Sequence, residues 1–154
     1  MRVLIQRLGF LGIVIASLVV LRAGSSTVET LSPAEAAARV ERGEAILVDV
    51  REPAEWAQTG VVSSAFTLPL SDLRGDRRAW AAFLETHRDQ ALILYCRSGN
   101  RSGQAAEILA AEGFRVANAG GLRDWTAAGQ PTRRADAPRA DAPTPEREKT
   151  TPQP

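Results

Sequence analysis

The residues with the clearest chemical potential lie together in the segment 96–102, which reads Cys-Arg-Ser-Gly-Asn-Arg-Ser. Cys96 is the only cysteine, and it ends the apolar run 91–96, which is typical of a buried strand. The polar loop after it leads into an alanine-rich segment that predicts a helix. Free backbone N–H groups at a helix start favour negative charge and stabilise a thiolate. The pattern therefore predicts a nucleophilic Cys96 beside a site for an anionic substrate.

The loop around this cysteine has the composition of an anion site. Gly99 permits a tight turn, and Arg97 and Arg101 would attract a negatively charged substrate.

The only histidine, His87, falls late in a predicted surface helix, far from Cys96 in the sequence, so we interpret it as solvated rather than as a general base. One cysteine and one histidine can form neither an internal disulfide nor a Cys/His zinc site, so no metal is expected.

Strands and helices alternate along the part of the chain that must position this loop. The apolar runs 45–50 and 91–96 predict buried strands, and shorter strands are predicted over 65–68 and 115–119. Helices are predicted over 33–42, with Ser32 as its cap and Gly43 at its end, from Pro53, over 71–88, over 102–112, and from Gly121 to Ala128. Such alternation predicts an α/β fold in which helices cover both faces of a mostly parallel sheet.

The charge of the chain argues against a nucleic-acid partner. The 154 residues include 19 basic and 18 acidic side chains, but residues 24–130 carry 11 basic and 14 acidic ones, a net charge of −3. Neutralising phosphates requires clustered excess cations, which this region lacks. We therefore expect no nucleic-acid binding.

The first 23 residues have the pattern of an export segment. Arg2 and Arg7 precede an uncharged run from Leu8 to Leu21, which has 14 residues. A secretory signal needs an apolar run of about 7–15 residues, whereas a transmembrane helix needs about 20. Residues 1–23 are therefore interpreted as a signal peptide or an uncleaved membrane anchor, which would place the protein in the periplasm or another extracytoplasmic space. Any membrane contact would be made only through this segment.

The last 24 residues, 131–154, have the composition of a disordered tail. The segment 130–154 holds six of the nine prolines and alternates charged residues with alanine and threonine. It contains no aromatic or β-branched aliphatic residue, so it cannot bury enough apolar surface to order itself. The sequence therefore predicts one domain over residues 24–130 between two ends of different character.

Four separated pieces of this domain form a specific set: residues 47–56 (Leu-Val-Asp-Val-Arg-Glu-Pro-Ala-Glu-Trp), Gly60 with Ala65 and Leu68-Pro69, residues 93–102, and Ala119-Gly120-Gly121 with Trp125. Together they resemble the rhodanese homology domain family over nearly all of residues 30–129. The resemblance implies that family's three-layer fold. It also implies that Cys96 is catalytic and that the loop backbone wraps the substrate; the loop residues are Arg97, Ser98, Gly99, Asn100 and Arg101.

The resemblance also gives roles to two residues outside the loop. The family's Asp-x-Arg after the first core strand falls on Asp49 and Arg51, which would lie near the loop and support it. From the residues alone, Asp49 in an apolar strand needs a polar partner, and a structural hydrogen bond fits as well as a catalytic role. The family's usual histidine is Val61 here, and its second glycine is Ser64, which alters a turn outside the loop.

The resemblance implies that the chain is a thiosulfate sulfurtransferase. Cys96 would take a sulfane sulfur from thiosulfate or a related small anionic donor, and its persulfide would pass the sulfur to cyanide, a thiol or a protein acceptor, with no cofactor. Two alternatives remain open. One is a non-catalytic envelope module that carries a persulfide or binds a partner. The other is a cysteine phosphatase or arsenate reductase, although its Cys-x5-Arg loop would need an arginine where Ser102 stands.

Overall fold

The computed structural model describes residues 28–137 and residue 139. In this part of the chain, the strands are β1 (Glu29–Thr30), β2 (Ala45–Asp49), β3 (Val61–Val62), β4 (Phe66–Thr67), β5 (Ala91–Cys96), β6 (Val116–Gly121) and β7 (Thr132–Arg133). The helices are α1 (Pro33–Glu41), α2 (Pro53–Thr59), α3 (Leu70–Arg74), α4 (Arg78–Thr86), α5 (Asn100–Ala111) and α6 (Leu122–Ala127). Within the described residues, no helix combines the length and apolar character needed to cross a membrane.

The centre of the molecule is a parallel five-stranded sheet in the order β1-β6-β5-β2-β4. Successive residues of a strand point to opposite faces, and the two central strands supply apolar side chains to both. Leu94 of β5 packs in the cluster under α3, α4 and α5, while Ile93 packs in the cluster under α1 and α6. The predicted α/β fold, with helices on both faces of a mostly parallel sheet, is confirmed.

The region between β4 and β5 differs from the single helix predicted over 71–88. The chain forms two helices, α3 and α4, which are separated by residues 75–77. The Asp72 carboxylate accepts hydrogen bonds from the backbone N–H groups of Arg78, Ala79 and Trp80 at 3.1–3.2 Å. Asp72 therefore caps a new helix rather than continuing the old one, and apolar periodicity alone does not reveal such a break.

The ordered domain extends beyond the boundary expected at residue 130. Thr132 and Arg133 pair antiparallel with β3. The Arg133 guanidinium also donates to the carbonyls of Ser63 at 3.1 Å and Ala65 at 2.8 Å. The first residues assigned to a disordered tail thus pack on the domain. The predicted export segment 1–23, and the tail apart from residues 131–137 and 139, lie outside the described residues.

Candidate active site

The Cys96 loop lies where the sequence predicts it, at the carboxyl end of a central strand. Cys96 is the last residue of β5, and α5 begins four residues later, at Asn100. Gly99 adopts a positive φ of 88°, which brings its backbone N–H to 3.1 Å from the Cys96 sulfur. A side chain at this position would be strained, so the glycine allows the loop to curl around the sulfur.

The sulfur is buried, yet its surroundings favour the thiolate. Burial alone would raise the pKa of Cys96. Hydrogen bonds from the Ser102 hydroxyl and from the backbone N–H groups of Ser102, Ser98 and Gly99 outweigh that effect, and the pKa lies below its ordinary value. The loop can therefore hold a negatively charged sulfur without a metal ion or a histidine.

Ser102 and Asn118 form a polar link behind the loop. The buried Ser102 hydroxyl shares its single proton among acceptors that include the Cys96 sulfur at 3.5 Å and Asn118 Oδ1 at 2.8 Å. Asn118 Nδ2 donates to the Gly99 carbonyl at 3.0 Å, and its Oδ1 accepts from the Gly120 N–H at 3.1 Å. These contacts fix the orientation of the amide and tie the loop to β6.

Asp49 and Arg51 form a buried ion pair beside β5. Arg51 Nη2 lies 2.6 Å from Asp49 Oδ2, and 2% and 0% of the two side chains are exposed. Arg51 also donates to Thr59 Oγ1 at 2.7 Å and to the Gly60 carbonyl at 2.6 Å. Burial opposes the charge of Arg51, but the hydrogen bonds to Asp49 outweigh it and raise the Arg51 pKa. The pair thus fastens the end of α2 to the sheet.

Glu55 of α2 in turn holds the Cys96 loop through Arg101. The Arg101 guanidinium donates two hydrogen bonds to the Glu55 carboxylate, at 2.6 and 2.7 Å. These bonds lower the Glu55 pKa to about 2. Asp49 and Arg51, which are expected to support the loop, are therefore connected to it through α2. Arg51 binds the end of this helix, and Glu55 of the same helix binds Arg101.

The remaining loop residues have different surroundings. Arg97 and Ser98 are exposed, and Arg97 lines a cleft beside the loop. The Asn100 side chain accepts a hydrogen bond from Gln104 at 2.7 Å, within α5. Arg101 was predicted to attract the donor, but its guanidinium is bound to Glu55. Its charge is therefore largely compensated, and its geometry suits holding the loop.

The sequence assigns no role to Glu55 or Asn118, and it marks Ser102 only as the last residue of the segment 96–102. Ser102 gives a local signal, because it lies on the same helical face as Ala105, Ala106 and Leu109 and is a small polar residue among buried apolar ones. Glu55 and Asn118 give no such signal. They lie 46 and 16 residues in sequence from their partners Arg101 and Ser102, and only the fold brings them together.

The fold and the loop define a class of α/β protein in which a buried cysteine ends a central strand and backbone N–H groups surround its sulfur. The model of the rhodanese-like domain family matches residues 32–128. The chain belongs to this family, as its sequence resemblance predicted.

Several relatives in this family are named as sulfurtransferases. The chain is 39% identical over 88 residues to a sulfurtransferase of Allochromatium vinosum, covering 56% of this chain and 76% of that one. It is 38% identical over 78 residues to the thiosulfate sulfurtransferase PspE of Escherichia coli, covering 50% and 70%. The chain is also 39% identical over 89 residues to an uncharacterized protein of Synechocystis sp.. This match covers 56% of this chain and 46% of that one, so the chain spans less than half the length of this relative.

Among solved structures, the human single-domain sulfurtransferase TSTD1 matches with a TM-score of 0.53 and 27% identity, covering 66% of this chain and 97% of that one. The relatives and this structure together support a sulfurtransferase role for the chain.

Proposed function

We propose that the protein transfers a sulfane sulfur from thiosulfate, or a related anionic donor, to cyanide or a thiol through a persulfide on Cys96. The observation that carries this proposal is the Gly99 N–H at 3.1 Å from a buried sulfur whose pKa is lowered by hydrogen bonds. The name of the Escherichia coli relative supports thiosulfate as the donor.

The first half-reaction loads the cysteine. The Cys96 thiolate attacks the outer sulfur of thiosulfate, a new S–S bond forms, and sulfite leaves with the electron pair of the broken bond. The negative charge that was on Cys96 then lies on the outer sulfur of the persulfide. The loop N–H groups that contact the Cys96 sulfur, together with the start of α5, would stabilise this charge.

The second half-reaction removes the outer sulfur from Cys96. Cyanide or a thiolate attacks the outer sulfur, the persulfide S–S bond breaks, and the electron pair returns to Cys96 as the thiolate. A protein thiol would react in the same way. The burial of Cys96 limits access to the sulfur. This favours an acceptor whose nucleophilic atom lies at the end of a slender group.

The proposal is tested with the variants Cys96→Ala and Ser102→Ala. The wild-type protein, treated with thiosulfate, should gain the mass of one sulfur atom and form thiocyanate with cyanide, while Cys96→Ala does neither and keeps its circular dichroism spectrum. Ser102→Ala keeps the nucleophile and loses a hydrogen bond to it, so alkylation of Cys96 should require a higher pH. Thiocyanate formation by Cys96→Ala at the wild-type rate would refute the proposal.

The phosphatase alternative has less support from the site. The position that would carry the phosphate-binding arginine is Ser102, which is fully buried behind the sulfur. The neighbouring Arg101 is engaged by Glu55. Hydrolysis of an aryl phosphate by the protein, together with failure of thiosulfate to load Cys96, would reverse this preference.

We also propose that the protein is exported by residues 1–23. The support is the arginine-flanked apolar run, which fits a secretory signal or an anchor. Fractionation of cells expressing the full chain should place it outside the cytoplasm, and the intact mass of the isolated protein distinguishes a cleaved signal from a retained anchor. Recovery of the full-length chain in the cytoplasm would contradict export.

A further inference from the structure

A cleft of about 430 Å³ opens beside the catalytic loop. Its lining combines residues of α2, the loop and α6: Arg51, Glu55, Gln58, Thr59, Arg97, Leu122, Arg123 and Thr126. Cavities that bind organic ligands measure about 300–1,000 Å³. The cleft therefore has room for an organic molecule considerably larger than thiosulfate.

The cleft carries uncompensated positive charge. Arg51 is paired with Asp49, and the Glu55 carboxylate is paired with Arg101. Arg97 and Arg123 are both exposed, and within residues 28–137 and 139 neither forms a salt bridge with a carboxylate. Two cationic side chains therefore remain available to a ligand, and they belong to different elements, the catalytic loop and α6.

Backbone packing holds α6 against the loop. Cys96 and Gly121 are partners in the register of β5 and β6. A Cβ atom on Gly121 would lie only 2.5 Å from the Arg97 carbonyl oxygen, so the two backbones are in close contact there. Leu122 and Arg123 follow Gly121 directly. The cationic side of the cleft therefore follows directly after the residue that pairs with Cys96.

Uncharged groups complete the cleft. Leu122 is apolar, and Gln58, Thr59 and Thr126 are polar residues that carry no charge. A ligand with a short carbon skeleton and carboxylate groups matches this lining, because its skeleton contacts the uncharged wall while its carboxylates meet the two arginines. Guanidinium groups bind carboxylates by two parallel hydrogen bonds, which makes such recognition specific.

We propose that this cleft binds a carboxylate-bearing organic thiol as the sulfur acceptor, with Arg123 as a specificity-determining residue. The inference rests on the proposed function for its chemistry. The bound thiolate attacks the outer sulfur of the Cys96 persulfide and forms a new S–S bond. The bond between that sulfur and Cys96 breaks, and its electron pair stays on Cys96. The products are an organic persulfide and the regenerated Cys96 thiolate.

Three small acceptors test the charge preference with thiosulfate as the donor. They are mercaptosuccinate with two carboxylates, 3-mercaptopropionate with one, and 2-mercaptoethanol with none. Arg123→Ala should raise the KM for mercaptosuccinate about tenfold, which corresponds to the loss of one charge-assisted hydrogen-bonded contact, and should change the KM for 2-mercaptoethanol less than about twofold. Comparing each variant with the wild type for the same acceptor removes the intrinsic reactivity differences among the thiols.

Two further variants separate charge from a general effect on the fold. Arg123→Lys keeps the charge and should recover most of the preference for mercaptosuccinate. Arg78→Ala removes an equally charged side chain on α4 that is 85% exposed and pairs with Asp76, and it should leave all three KM values unchanged. Equal effects of Arg123→Ala on the three acceptors, or no effect, would overturn the inference.

A binding measurement makes the inference independent of turnover. In the Cys96→Ala protein, mercaptosuccinate cannot form a mixed disulfide, and calorimetry reports its binding directly. Binding should weaken about tenfold on adding Arg123→Ala and should weaken with rising salt. Absence of such a difference refutes the cleft proposal even where Cys96 loads with sulfur normally, whereas failure of loading in the wild-type protein refutes the proposed sulfurtransferase reaction and not the binding.

Discussion

Two arginine–carboxylate pairs border the candidate site, and they differ in how much water reaches them. The Asp49–Arg51 pair is almost completely buried, whereas both side chains of the Glu55–Arg101 pair are 27% exposed. The first pair anchors α2 to the sheet, and the second anchors the Cys96 loop to α2. Water compensates a broken partner only in the second pair. The inner pair should therefore govern whether the domain folds, and the outer pair should adjust how firmly the loop is held.

The largest effect is expected from breaking the inner pair. Asp49→Ala leaves the Arg51 guanidinium buried without its carboxylate, and such a change costs about 3–5 kcal/mol of unfolding free energy. Denaturant unfolding measures the loss, with Asp76→Ala as a control because Asp76 forms an exposed pair with Arg78. A loss of less than about 1 kcal/mol in Asp49→Ala would show that the buried pair is not a structural anchor.

A smaller loss of stability is expected when position 51 keeps its positive charge but the side chain changes shape. Arg51→Lys preserves the positive charge but replaces the three guanidinium nitrogens, which reach Asp49, Thr59 and Gly60 from separate positions, with a single ammonium nitrogen. We expect a loss of about 2 kcal/mol in unfolding free energy. Wild-type stability in this variant would mean that the charge, and not the fork of hydrogen bonds, fixes α2.

Breaking the outer pair should affect the loop more than the fold. Glu55→Gln removes the carboxylate that binds Arg101, and because the pair is partly solvated the unfolding free energy should fall by only about 1 kcal/mol. Sulfur loading of Cys96 by thiosulfate should slow severalfold in the same variant. If Glu55→Gln loads sulfur at the wild-type rate and loses as much stability as Asp49→Ala, the outer pair acts on the fold in the same way as the inner pair, and the difference in burial has no consequence.

The smallest effect is a pH dependence specific to the outer pair. The pKa of Glu55 is lowered to about 2, chiefly by the hydrogen bonds from Arg101. A depressed carboxyl pKa stabilises the fold above the unfolded value of about 4.5, and this contribution disappears as the pH falls toward 2. The stability difference between wild type and Glu55→Gln should therefore shrink from pH 5 to pH 2. A constant difference over this range would contradict the assignment.

Much of the fold could be predicted because it follows from local patterns. The runs 45–50 and 91–96 are apolar enough to be buried on both faces, and they form the centre of the sheet as β2 and β5. The turn residues around Gly43 and Gly113 end α1 and α5 near the predicted positions. Apolar periodicity over 71–88 does not predict its division into two helices, because the division depends on Gly75, which ends α3, and on the Asp72 side chain, which caps α4.

A single cysteine at the end of a buried strand, followed by a loop with a glycine and two arginines, can be read from contiguous residues alone. The contacts of Glu55 with Arg101 and of Asn118 with Ser102, and the cleft that Arg123 shares with Arg97, require the folded chain. The partners in these contacts are far apart in the sequence. Strand pairing and helix packing bring these side chains to one edge of the sheet, and no local pattern encodes which distant partner each of them meets.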